Sequence, residues 1–192
     1  MAEEASAGDT IPEGASVIEV HVAELKRLFN AMDPAPFRDR DLDPNAEEFI
    51  VSWGRELPHD APLGLLVHVD QGAGATDEAV VLRNAIHQFF EGRSTATRRR
   101  LRQLFHRGRI SLVIGLAFLV ASFGASQLVG NWLQPGGIAN LLRESLLIGG
   151  WVAMWGPLEI FLYDWWPIRA EARLFDRLAV MPVRIRYVAG LP

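Results

Sequence analysis

The sequence predicts an α+β membrane protein. A two-span transmembrane helical hairpin is inserted into a small cytoplasmic α/β domain of about three strands and three to four helices. Three observations carry this expectation. No charged residue occurs between positions 110 and 142. Seven arginines and no acid fall within residues 92–112, around the start of that stretch. Segments of alternating apolar and polar residues, Ser16–Val22 and 182–188, lie at opposite ends of the chain and read as strands. The averages conceal this pattern: 49% of the 192 residues are hydrophobic and the net charge is −4. Cysteine is absent, which excludes disulfides, thiolate metal sites and cysteine nucleophiles.

Residues 1–15 are acidic, rich in small residues and without periodicity, and read as a disordered tail. The cytoplasmic α/β domain follows over residues 16–91. In Ser16–Val22 the residues Ile18, Val20 and Val22 share one face, and Glu19 and His21 share the other. Residues 23–32 carry Leu25, Leu28, Phe29 and Met32 at helical spacing and predict a helix. A loop rich in proline and aspartate leads to Asp43-Pro44, where Asp43 suits an N-cap and Pro44 the first helical position. That helix presents Phe49, Ile50, Trp53 and Leu57, and Pro58 ends it. Residues 63–70 form a second strand. A further helix starts near Glu78, with Val81, Leu82, Ala85, Phe89 and Phe90 on its buried side. A break is expected near positions 92–95.

Residues 92–109 form a basic juxtamembrane helix, and residues 110–129 the first transmembrane helix. About 20 helical residues span a hydrocarbon core of roughly 30 Å. Residues 130–145 make a short external loop with a Gln134-Pro135-Gly136-Gly137 turn, and residues 146–166 the second span. Pro157 should kink or loosen that span. Two rows of small residues, Ala117-Ala121-Ala125 and Gly149-Ala153, suit close helix packing in lipid, with Ser122 and Ser126 beside the first. Residues 167–192 supply a short amphipathic helix and a third strand that returns to the α/β domain.

Arginines set the expected orientation. Arg98, Arg99, Arg100, Arg102, Arg107 and Arg109 precede the first span, and Arg169, Arg173 and Arg177 follow the second. Only Arg143 lies between, so both termini are expected in the cytoplasm. No basic n-region followed by an apolar run opens the chain, so the first span is expected to act as its own insertion signal. The six arginines of the collar also suit contact with anionic lipid.

Candidate sites are few. Glu159 and Asp164 are the polar residues of the second span, and an ionisable group at membrane depth needs a partner, a proton or water. Asp164 is expected to pair with Arg169. Glu19, His21, His68, Arg184 and Arg186 share the polar face of the sheet, and the two histidines and two arginines read as an anion patch. His59-Asp60 and His68-x-Asp70 are too sparse for a metal site. The loop Gly72-Ala73-Gly74-Ala75-Thr76 lacks the Gly-Lys-Ser/Thr of a phosphate-binding loop and reads as a connector. Asp33, Asp39, Asp41 and Asp43 lack calcium-loop spacing, and capping and ion pairing account for them. Nothing in the sequence implies a cofactor or a catalytic constellation.

Arginine outnumbers lysine 18 to 1, a bias expected of a high-GC bacterium. The functional expectation is a non-enzymatic bacterial inner-membrane protein. It would be a membrane-anchored assembly or scaffold subunit, either a homo-oligomer or part of a larger complex, with no nucleic-acid partner. An oligomeric channel or transport-related protein using Glu159 is the alternative, and a ligand sensor or enzyme using the His/Arg sheet face is the third reading.

Overall fold

The computed structural model describes residues 6–30, 41–58, 60–70, 77–132 and 136–187. Outside them lie positions 1–5 of the expected tail, Met32, Asp33 and Asp39, His59, the connector 72–76, Gln134 and Pro135, and residues 188–192. The fold is mixed α/β with a four-stranded sheet. Two helical stretches, Glu78–Trp132 and Gly137–Leu178, are long and apolar enough to cross a membrane. The chain divides into two compact units, Met1–Ala96 with Glu171–Pro192, and Thr97–Ala170.

The sheet belongs to the first unit. Its strands are β1 (Ser6–Gly8), β2 (Ser16–Val22), β3 (Leu63–Val69) and β4 (Val183–Tyr187), in the order β1-β4-β3-β2. β2, β3 and β4 run parallel, and β1 pairs antiparallel to β4. β3 is buried along its whole length, as expected for a parallel strand with neighbours on both sides. Ile18, Leu65, Val67, Val183 and Ile185 pack into one core with Ile50 of α1 (Pro44–Glu56), Leu82, Ile86 and Phe90 of α2 (Glu78–Trp132), and Leu174, Phe175 and Leu178 of α5 (Trp165–Leu178). Asp43 caps α1 by accepting from the Asn45 backbone N–H at 2.9 Å.

β1 corrects the reading of residues 1–15 as a disordered tail at positions 6–8. Gly8 has a φ of 111°, and a Cβ there would come within 2.5 Å of the Val183 carbonyl oxygen. Only glycine tolerates both conditions. Asp9 then locks the corner. Its backbone N–H donates to the Val183 carbonyl at 3.0 Å, and its carboxylate accepts from Arg83 at 2.9 Å.

Of the helix expected over residues 23–32, the described residues 23–30 hold one 3-10 turn, Leu25–Leu28. Phe29 is extended and bridges Leu42. The backbone N–H of Asn30 donates to the Asp41 carbonyl, and that of Asp43 to the Leu28 carbonyl. Strand-like pairing satisfies these groups in place of a helical ladder.

The expected break at 92–95 is also absent, because α2 is continuous through it. A glycine inside a helix costs about 1 kcal/mol, and two contacts oppose that cost. The Arg93 guanidinium donates to Glu47, and the buried Ser94 hydroxyl donates to Asp176 at 2.5 Å.

In the second unit, the later part of α2 packs against α3 (Gly137–Ala153), α4 (Trp155–Glu159) and the π-helical turn Ile160–Asp164. Gly150 lies against Leu119 and Ser122, Gly115 against the Ala153 carbonyl, Met154 and Pro157, and Gly108 against Ile160 and Phe161. The residues meet in opposite chain order. Pro157 offers no N–H to the Ala153 carbonyl. Here the helix tightens, with the Met154 N–H on the Trp151 carbonyl, and then widens into the π turn. The packed row is Gly115, Ser122 and Ser126, while Ala117 and Ala121 face outward. The expected alanine row is thus not the contact row, and Gly150 rather than Gly149 makes the close approach. The segment expected as a separate amphipathic helix after the second span is the continuation of α5 from Trp165.

Candidate functional site

Strand alternation and register assemble a polar row on the sheet face opposite the core. His21, His68 and Arg186 sit side by side on β2, β3 and β4. Glu19 and Arg184 lie two residues earlier on the outer strands of that trio, with Leu66 between them. The His21 and His68 rings stack at 4.2 Å between centroids, with planes 5° apart. His21 and Glu19 are exposed, whereas His68 is 7% exposed.

Glu19 Oε2 is 3.3 Å from His68 Nε2. The alignment is too poor for a hydrogen bond, so this buried nitrogen has no hydrogen-bond partner among the described residues. Arg184 donates to the Ser6 hydroxyl at 2.9 Å, and Arg186 is engaged by a neighbouring group. The structure therefore brings three of the four patch residues into one row and turns the fourth toward β1. Alternation in Glu19-x-His21 puts Glu19 on this same face, although the anion patch read from the sequence leaves it out.

One residue beyond Arg186, on the opposite face of the sheet, Tyr187 donates to Glu78 at 3.1 Å. Burial, followed by the hydrogen bond to Glu78 and its negative charge, pushes the phenol up to about 12.

The second unit holds the other candidates. All six collar arginines are exposed. Arg100, Gln103, Leu104 and Arg107 form one wall of a cleft of about 740 Å³, and Asp164, Pro167 and Ile168 form the other. The expected Asp164–Arg169 pair does not form among the described residues. The Arg169 guanidinium instead lies 5.5 Å from the Trp165 ring centroid, four residues back, where helical spacing brings side chains together. Glu159 is exposed, between exposed Trp155, Leu158, Leu162 and Tyr163. It has no ion-pair partner among the described residues.

Comparisons with protein-family models, with characterised proteins and with solved structures give no match for this chain.

Proposed function

We propose that the chain is a two-span inner-membrane protein of a bacterium, with both ends of the described chain on the cytoplasmic side. It acts as a non-enzymatic assembly subunit whose α/β unit is the cytoplasmic interaction domain. One observation carries this reading. Large apolar side chains stay exposed along both candidate spans, including Val113, Phe118, Phe123, Ile148, Val152 and Leu162. An exposed apolar surface of this extent suits lipid rather than water. The exposed arginine collar suits the cytoplasmic leaflet and its anionic lipids.

Two features support self-association or docking into a larger complex. Ala117 and Ala121 form an outward row of small residues, which lets helices approach closely in lipid. Glu159 is an exposed carboxylate amid apolar neighbours, and such a group at membrane depth costs about 2.5–3.5 kcal/mol unless another subunit or water meets it.

Absence of native cysteine makes the test direct. Single cysteines at Thr95 and Asn140 are challenged with a membrane-impermeant maleimide on intact spheroplasts. Asn140→Cys is expected to label at once, and Thr95→Cys only after permeabilisation. Equal labelling of both sites in intact cells overturns the topology.

A second reading rests on the π-helical turn Ile160–Asp164, directly after Glu159. Such turns are frequent at functional sites in helices. In that reading Glu159 serves an ion or proton pathway in an oligomer. Proteoliposome flux lost in Glu159→Gln supports it, and undiminished flux removes Glu159 from the mechanism.

A further inference from the structure

We propose that Glu19, His21 and His68 form a binding site for a divalent transition-metal ion of the zinc class. Two imidazoles and one carboxylate are the donor set such ions take in sites that leave positions for water. Parallel pairing of β2 with β3 puts His21 beside His68, and strand alternation adds Glu19 to the same face. One ligand atom from each residue lies within 4.8 Å of the other two.

The distances favour a metal over a simple polar cluster. Two ligands at 2.0–2.1 Å on a tetrahedral ion stand about 3.4 Å apart. Glu19 Oε2 and His68 Nε2 are already 3.3 Å apart. Their poor alignment for a hydrogen bond does not matter to coordination, which needs both lone pairs turned toward a third point. His68 Nε2 is also buried without a hydrogen-bond partner among the described residues, a costly state for a polar atom. A metal ion relieves that cost.

His21 is the adjustable ligand. Its ring is exposed and stacked parallel to His68, so a turn of the ring brings its nitrogen toward the shared point. β2 is an edge strand, which leaves the remaining coordination positions to water.

Local charge is compatible with a cation. Glu19 supplies a negative charge, neutral imidazoles add none, Arg184 is turned to Ser6, and Arg186 has its own neighbour. The site lies wholly in the first unit and does not depend on the membrane topology proposed above.

The test uses the full chain, tag-free, in detergent and stripped with chelator. Zinc is then titrated by calorimetry, and Co(II) by its visible d–d absorption. One ion per chain is expected, with a rise in Tm on zinc addition. His21→Ala and Glu19→Gln are surface changes that leave the core intact, and each is expected to weaken zinc binding at least tenfold. His106→Ala, at an exposed histidine of the other unit, is expected to bind as the parent does. Absence of stoichiometric zinc overturns the site. So does unchanged affinity in both His21→Ala and Glu19→Gln, or a loss confined to His106→Ala.

Discussion

Ile185 is the most informative single position in the sheet. It is fully buried on β4, paired with Val67 of β3 on one side and Ala7 of β1 on the other. Ile185→Ala removes three carbons from that core. At about 0.8 kcal/mol per methylene the transfer loss alone is about 2.4 kcal/mol. The cavity left behind raises the total within the range of about 2–5 kcal/mol seen for such truncations. A loss of 2.4 kcal/mol speeds exchange through the open state about 50-fold, and 4 kcal/mol several hundred-fold. Hydrogen exchange read by mass spectrometry on the full chain in nanodiscs measures this directly. Amides of Ser16–Val22 and Leu63–Val69 should accelerate together with those of β4. Val180→Ala, at a residue 76% exposed, is the matched control and should change little. Unchanged protection of Ser16–Val22 in Ile185→Ala, with β4 itself accelerated, would refute the shared core.

The other predictions probe separate parts of the molecule. Gly150→Ile should destabilise the helix pair of the second unit by about 1–3 kcal/mol in SDS titration, because even a Cβ meets Leu119 at 2.9 Å. Gly149→Ile, with open space at its Cβ, should be nearly silent, and the reverse ranking would show that the helix face is misassigned. Gly8→Ala combines a φ of 111° with the collision against Val183, so it should release β1 and expose the first residues to limited proteolysis. Retained protease resistance would exclude the strand. Tyr187 ionises near 10 when unfolded and near 12 when folded, so the unfolded state loses its proton first. Stability should therefore fall between pH 10 and 12, and Tyr187→Phe should flatten that part of the denaturation midpoint curve.

Strong periodic signals in the sequence carried over into structure, and weak or ambiguous ones did not. Ser16–Val22 alternates so regularly that Ile18, Val20 and Val22 read as inward and Glu19 and His21 as outward, which is how the structure places them. The same alternation placed Val183, Ile185, Arg184 and Arg186. β1 had no such signal, since Ser-Ala-Gly buries little and is held by Gly8, Asp9 and the edge of β4. Leu25 and Leu28 suit one 3-10 turn as well as an α-helix, and the choice was made by Leu42, a residue 14 positions beyond Leu28. Gly92 looked like a break because propensity is local. Glu47 and Asp176, which hold the helix there, are distant in sequence. The grouping of His21 with His68 was legible from alternation. The closeness of Glu19 to His68 needed the parallel register of β2 on β3, which no pattern within a single strand specifies.

The position of β4 has a consequence for how the protein is made. It lies between β1 and β3, yet both apolar stretches are translated before it. While the ribosome is still on those stretches, β1 has no strand to pair with and β3 has one bare edge. The first unit can therefore close only after residues 183–187 emerge. Until then its early strands are exposed to aggregation or to a holding chaperone. A ribosome stalled just past the second apolar stretch should carry β2 and β3 as an unfinished pair, which pulse proteolysis of arrested chains can detect.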